Sequence, residues 1–136
     1  MKTLPLISVI IPTLNEADAL GATLRRLQIQ EGPLETLVVD GGSGDETQAL
    51  ARSRGATVLQ APTGRGTQMN RGAEAASGDI FLFLHADTLL PRNGFSLIRR
   101  ALRPPETIAG TFRLRFDAPT PLLRFYAWCT RWPWVR

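Results

Sequence analysis

The sequence predicts an α/β fold in which a mostly parallel sheet is flanked by helices. Short runs of β-branched and aliphatic residues alternate with segments of helical periodicity, and two of the runs lead directly into sequences typical of helix starts. The predicted strands are residues 7–11, 37–39, 57–59 and 80–84. The last of these runs is continuously apolar, which indicates a strand buried within the sheet.

The helices between these strands are predicted from the spacing of their apolar residues. In each of three segments, apolar residues are spaced by three or four positions, which places them on one face of a helix. The three sets are residues 17, 20, 24 and 27, residues 69, 73 and 76, and residues 95, 98 and 102. Two helix starts resemble capping boxes, at residues 13–16 and 43–46, in which a hydroxyl and a glutamate satisfy unpaired amides. A later alternation at 111–116 predicts one more strand.

Composition limits the class of protein. The chain has 136 residues, of which 43% are hydrophobic and 21% charged, and a single cysteine. That length can bury a core, and one cysteine excludes an internal disulfide framework or a cysteine-based zinc cluster. The longest apolar run is too short to span a bilayer, and prolines interrupt any signal-peptide pattern at the N-terminus. The sequence therefore favours a cytoplasmic protein.

The basic charge is confined to the end of the chain. Residues 1–98 carry eight basic and ten acidic side chains, whereas residues 99–136 carry eight arginines and two acids. This distribution argues against nucleic acid as a partner. The double proline at 104–105 must end the preceding helix. We therefore predict two regions, 1–103 and 104–136.

Candidate functional residues follow the predicted strands, because ligands of open parallel sheets bind beyond the carboxyl ends of the strands. Asp40 follows the second strand and could accept hydrogen bonds from a base or a ribose, although Asp-Gly-Gly is also turn chemistry. Asp45 could simply stabilise a helix N-terminus. Arg65, between two glycines, could face a diphosphate or be a solvated residue of a mobile loop.

Asp87 is the most informative candidate because it comes just after the apolar run. A carboxylate held there suits Mg²⁺ or Mn²⁺, which takes one or two protein oxygens and fills its other positions with phosphate and water. His85 would point to the same side as Asp87 if the strand continued, although a lone histidine is more often structural.

Together these segments resemble glycosyltransferase family 2, whose members have the GT-A fold and transfer a sugar from a nucleoside diphosphate to an acceptor. The matching segments are 9–16, 38–47 and 78–87, and 64–73 resembles a bacterial subgroup with His-Ala-Asp in place of Asp-x-Asp. By this resemblance Asp87 binds the metal and Asp40 the base. The other residues implied at the nucleotide-sugar site are Pro12, Thr13, Glu16, Asp45, Arg65, His85 and Ala86.

The resemblance implies metal-assisted, inverting transfer from a UDP-sugar to an unknown acceptor, with Mn²⁺ or Mg²⁺ as cofactor. Residues 1–103 would bind the donor, and 104–136 would begin an acceptor-side region that we expect to be truncated. Neither Glu106 nor Asp117 fits the catalytic base, so we expect poor transfer by this chain alone. The alternative is a non-catalytic remnant that binds the nucleotide-sugar and transfers nothing.

The last sixteen residues, 121–136, combine aromatic and arginine side chains. Such a segment could contact the inner face of a membrane peripherally. The stronger alternative is that its aromatic residues pack against an absent acceptor-binding half.

Overall fold

The computed structural model describes residues 3–113, 117 and 120–121, and over these residues the predicted α/β fold is confirmed. Four parallel strands form one sheet in the order β3-β2-β1-β4. The strands are β1 (Ile7–Thr13), β2 (Leu34–Asp40), β3 (Thr57–Gln60) and β4 (Ile80–Phe83). The helices are α1 (Ala17–Gln28), α2 (Thr47–Ser53), α3 (Arg65–Ala75) and α4 (Gly94–Ala101).

Strand β1 is the centre of the core because it pairs with β2 on one side and β4 on the other. Its side chains alternate between the two faces of the sheet, and both faces are buried at this strand. Ile10 packs with Leu37 and Val39 on the face that α3 covers. Of the α1 residues predicted to share one face, Leu20, Leu24 and Leu27 are buried and Ala17 is half-buried.

Helix α3 lies unusually close to the sheet. A Cβ atom at Gly72 would stand 2.4 Å from Cγ2 of Ile10 and 3.0 Å from Cγ2 of Val39, so only glycine fits there. The fully buried residues of this helix are Gly72 and Gln68, while Ala73 of the predicted apolar face is partly buried. The closest contact with the sheet is therefore made by a glycine and an amide.

The prediction that the apolar run at 80–84 forms a buried strand is wrong in one respect. Within the described residues β4 is at the edge of the sheet, and Phe81 and Phe83 are 45% and 49% exposed. Leu84, just after the strand, is buried. Phe81 and Phe83 alternate with Ile80 and Leu82 and therefore lie on the same face of the sheet, and the described residues cover that face of β4 only in part.

The chain divides into two compact units, Met1–Arg100 and Ala101–Arg136. The predicted strand at 111–116 is wrong for residues 111–113, which form no strand, and 114–116 lie outside the described residues. The aromatic and arginine tail also lies outside them, apart from Pro121. Among the residues that are described, none belongs to a helix that is long and apolar enough to cross a membrane.

Candidate functional site

The loops that follow β1 and β2 interlock at the carboxyl edge of the sheet. The Asn15 amide donates to the Ser43 hydroxyl at 2.9 Å, and the Gly44 amide donates to Oδ1 of Asn15 at 2.8 Å. Asn15 has a left-handed backbone with φ of 53°, a conformation that asparagine tolerates better than most residues. Each loop thus supplies the hydrogen-bond partners that the other lacks.

The two predicted capping boxes are wrong. Helix α1 begins at Ala17 and α2 at Thr47, and neither preceding glutamate, Glu16 or Glu46, makes a side-chain capping bond. The reason is that the hydroxyls expected to cap these helices are used elsewhere. Those of Thr13 and Ser43 both donate to the carboxylate of Asp40.

The amides at the start of α1 are instead satisfied by the neighbouring loop. The Glu16 amide donates to Oγ1 of Thr47 at 2.9 Å, and the Ala17 amide donates to Oδ2 of Asp45 at 3.2 Å. The Thr47 hydroxyl and amide both donate to Oδ1 of Asp45. These bonds, led by that of the Thr47 hydroxyl, lower the pKa of Asp45. Asp45 therefore joins the two loops as an anion at a helix N-terminus.

Asp40 is fully buried at the end of β2, and its carboxylate accepts five hydrogen bonds. Oδ1 accepts from the hydroxyls of Thr13 at 3.2 Å and Ser43 at 2.5 Å. Oδ2 accepts from the amides of Gly42 and Ser43 and from the Gln48 side chain, at 2.8–3.0 Å. Burial alone raises the pKa of Asp40, but the hydrogen bonds from Ser43, Gly42 and Gln48 outweigh it and hold the pKa below 3.8.

Gln68 is a residue of this region that the sequence prediction missed. It is 4% exposed, and its side-chain amide donates to the carbonyls of Thr13 and Val39, both at 2.8 Å. Its oxygen accepts from the Gly64 amide at 3.2 Å. Gln68 thereby fixes the start of α3, including Arg65, against the ends of β1 and β2. The sequence did contain a signal for this residue, because Gln68 is a polar side chain on a helix face whose other members are small.

The turn after β4 carries His85, Ala86 and Asp87. His85 and Asp87 were predicted to point to the same side only if the strand continued through them. Strand β4 ends at Phe83, so the alternation of a strand does not extend to these two residues. The Thr88 amide donates to the His85 carbonyl at 3.1 Å and closes a tight turn. Ala86 is buried beneath this turn, whereas His85 and Asp87 are exposed.

Some of the predicted site residues are connected by hydrogen bonds, whereas others only lie at the ends of neighbouring strands. Thr13 and Asp40 are joined by a direct hydrogen bond. Glu16 and Asp45 are joined indirectly, because the Glu16 amide donates to Thr47 and the Ala17 amide donates to Asp45. Among the described residues, Arg65 and the turn after β4 make no hydrogen bond to these four. The Leu84 amide donates to the Ile10 carbonyl at 3.0 Å, so the turn begins beside β1, at the same edge of the sheet. Pro12 is half-buried at that edge.

Asp87 has a carboxylate that is free to hold a divalent cation. Its only hydrogen bond among the described residues comes from the Thr88 hydroxyl, at 3.3 Å, so its oxygens remain accessible. No group of three or more metal-ligating side chains occurs among those residues. An open site of this kind fits Mg²⁺ or Mn²⁺ held between one carboxylate and a phosphate-bearing ligand, rather than an ion caged by protein alone.

Comparison with known proteins now gives the family. The model of glycosyl transferase family 2 matches residues 8–133. A PGL/p-HBAD biosynthesis glycosyltransferase of Mycobacterium bovis is 40% identical over an alignment of 94 residues, and the match covers 63% of this chain and 37% of that protein. The chain thus spans less than half the length of that relative.

Solved structures show the same fold. S. aureus TarS, residues 1–349, in complex with UDP has a TM-score of 0.62 and 27% identity, covering 70% of this chain and 31% of that one. The mannosyltransferase PcManGT from Pyrobaculum calidifontis, in complex with GDP-Man and Mn²⁺, has a TM-score of 0.61 and 29% identity, covering 71% and 31%. These likenesses confirm the expected GT-A fold, and the family model covers most of the sequence. The chain belongs to glycosyl transferase family 2.

Proposed function

We propose that this chain binds a nucleoside diphosphate sugar, with UDP as the preferred nucleotide, together with Mn²⁺ or Mg²⁺. The reaction we propose is inverting transfer of the sugar to an acceptor hydroxyl. The observation that carries the proposal is the exposed Asp87 carboxylate, held in a tight turn at the carboxyl edge of the sheet. TarS in complex with UDP, and PcManGT with GDP-Man and Mn²⁺, support it by likeness.

The nucleoside is proposed to lie over the ends of β1 and β2. Pro12, Thr13 and Glu16 would line its pocket, and Asp40 would bind the base. Because the Asp40 carboxylate already accepts five hydrogen bonds, a base N–H would have to replace one of the present donors. Asp45 would contribute by holding the loop that surrounds the nucleoside.

The diphosphate is proposed to lie between the start of α3 and the turn after β4. Arg65, exposed in the first turn of α3, supplies a guanidinium that can pair with phosphate oxygens. His85 and Ala86 would border the sugar, and Asp87 would hold the cation. A bound divalent cation neutralises charge that develops on the leaving diphosphate.

Calorimetric titration of the full chain with UDP tests the proposal. We expect UDP to bind at least about tenfold more tightly with Mn²⁺ than with EDTA, since the cation joins the diphosphate to Asp87. Asp87→Asn should abolish that difference. Asp79→Asn is the matched control, because Asp79 accepts a bond from the Leu6 amide at the opposite edge of the sheet and an asparagine oxygen can accept it too.

Two results would contradict the proposal. Absence of UDP binding in any condition would refute nucleotide recognition. Binding that ignores both EDTA and Asp87→Asn would refute the metal role of Asp87. If UDP binds as expected but no sugar is transferred to any acceptor, the non-catalytic remnant becomes the correct description.

A further inference from the structure

One helix holds the whole segment that follows β4. Thr23, Arg26 and Gln30 are spaced by three and four residues, so they lie on one side of α1 and its C-terminal end. Thr23 Oγ1 donates to the Ala86 carbonyl at 2.6 Å, and the Arg26 guanidinium donates to the Leu90 carbonyl at 2.7 Å. The Gln30 side chain donates to the Pro91 carbonyl at 2.8 Å and accepts from the Phe95 amide at 3.0 Å.

Thr23 stands out in this row because its hydroxyl is buried. The residue is 1% exposed and lies beside Leu20, Leu24 and Leu27, where an apolar side chain would be expected. A buried hydroxyl is costly unless it is hydrogen-bonded. The hydroxyl of a threonine within a helix can donate to the carbonyl three or four residues earlier, whereas here it donates to a residue 63 positions away. The hydroxyl is thus directed at the turn after β4.

The bond to Ala86 acts on the peptide that leads into Asp87. The Ala86 carbonyl and the Asp87 amide belong to one planar unit, so fixing the carbonyl fixes the direction in which Asp87 leaves the turn. Ala86 is 3% exposed, while Asp87 is exposed and bonded only to its neighbour Thr88 among the described residues. The backbone of the turn is therefore held by a buried hydrogen bond on the side of α1, while the Asp87 carboxylate stays exposed and available to a ligand.

We propose that Thr23 is a positioning residue for the divalent cation: its hydroxyl fixes the 85–88 turn so that Asp87 is in place before the cation arrives. The inference rests on the proposed metal role of Asp87. Without the bond, the turn samples other orientations, and cation binding must bear the cost of ordering it. The expected consequence is weaker metal binding with unchanged metal-free nucleotide binding.

The test compares three variants of the full chain. Thr23→Val keeps the shape but removes the donor, and Thr23→Ser keeps the donor. Leu27→Val weakens packing of the same helix at a buried residue whose side chain makes no hydrogen bond to the turn. Hydrogen exchange of the Thr88 amide is measured first, with no ligand present. We expect at least about tenfold faster exchange in Thr23→Val, relative to global unfolding of the same variant, and nearly unchanged exchange in the other two.

The second measurement is the Mn²⁺ concentration that half-saturates the UDP-bound chain. Thr23→Val should require at least about fivefold more Mn²⁺, whereas its affinity for UDP in EDTA should equal that of the unaltered chain. Thr23→Ser should restore Mn²⁺ binding. If Thr23→Val does not fold, Thr23→Cys replaces it, because a thiol is a weaker donor of similar size and should give smaller changes in the same direction.

The outcomes separate this inference from the proposed function. Unchanged Thr88 exchange in Thr23→Val, or equal acceleration in Leu27→Val, would overturn the positioning role. Faster exchange with unchanged Mn²⁺ affinity would overturn the link between the turn and the cation. If the unaltered chain binds UDP without any Mn²⁺ dependence, the proposed metal site fails and this inference fails with it, whatever the exchange rates show.

Discussion

Asp40 shows how one carboxylate can organise a loop. It is buried, no basic side chain of the described residues pairs with it, and five donors from the loop and its surroundings keep it ionised. A buried charge of this kind is tolerated only when it is fully hydrogen-bonded. Asp40 is therefore required for the shape of the edge at which we propose the nucleotide binds.

Replacing Asp40 by asparagine should lower the free energy of unfolding by about 2–4 kcal/mol. The amide nitrogen would face donors such as the Gly42 amide and the Gln48 side chain, leaving buried groups without acceptors. Urea unfolding at pH 7 measures the loss. Asp45→Asn is the control, since Asp45 is exposed, and we expect it to be clearly milder. Equal effects of the two substitutions would contradict the role given to Asp40.

At the scale of secondary structure, α3 depends on close approach to the sheet. Gly72 allows this approach, and Gln68, one turn earlier, ties the helix to the carbonyls of Thr13 and Val39. A helix that fits this closely has no space for an additional methyl group.

Gly72→Ala should therefore destabilise the fold by about 1–3 kcal/mol, although alanine is the better helix former. Gly66→Ala on the same helix is the matched control, because nothing lies within 4 Å of a Cβ atom there. We expect that variant to be as stable as the parent or slightly more so. Thermal unfolding of both compares them directly, and a neutral Gly72→Ala would refute the close packing.

Helix α4 is joined to the start of the chain by Arg99. Its guanidinium donates to the carbonyls of Pro5, Glu31 and Pro33 at 2.6–3.1 Å and lies 5.6 Å from the ring centre of Phe95. The planar fork of arginine can reach these three acceptors together, whereas a lysine ammonium cannot match that geometry.

Arg99→Lys should lower the free energy of unfolding by about 1–2 kcal/mol. Arg100→Lys is the matched control, because Arg100 is the exposed neighbour on the same helix and makes no hydrogen bond among the described residues. Chemical denaturation measures both variants. An equal loss of stability in both variants would show that any arginine-to-lysine change in α4 destabilises the fold, and that the hydrogen bonds of Arg99 to the three carbonyls are not the cause.

At the scale of the whole molecule, stability depends on carboxylates used as acceptors. Besides Asp40 and Asp45, Glu35 accepts bonds from the hydroxyl of Ser8 and from the amide and hydroxyl of Ser77. Glu35 thereby links β2 to the residues that lead into β4. Burial raises its pKa, but the bonds from Ser8 and Ser77 outweigh burial and hold the pKa below 4.5.

The folded pKa values of these three carboxyls lie below their ordinary values of 4.5 and 3.8, so their contribution is complete at neutral pH. It should be lost as pH falls below about 4.5, because the unfolded chain then binds more protons. Urea midpoints between pH 7 and 3 measure this. Glu35→Gln should be less stable than the parent at pH 6, with a difference that narrows below pH 4.5. A constant difference would contradict the assignment.

The sequence by itself determined the strand order along the chain, the parallel class of the sheet and the positions of the candidate residues at the strand ends. These follow from local periodicity and from the rule that parallel strands share a carboxyl edge. The strand cores predicted at 7–11, 37–39 and 57–59 lie within the observed strands, because runs of β-branched and aliphatic residues favour the extended conformation of a sheet.

Only the tertiary structure decided which partner each polar group takes. The hydroxyls of Thr13 and Ser43 were expected to cap their own helices, but they donate to Asp40, which is distant from Thr13 in sequence. The exposure of Phe83 depends on what covers its face of β4, and the Ala86 carbonyl accepts a hydrogen bond from Thr23, which lies 63 residues earlier in the chain. Such pairings depend on contacts between residues far apart in the chain, and local periodicity carries no information about them.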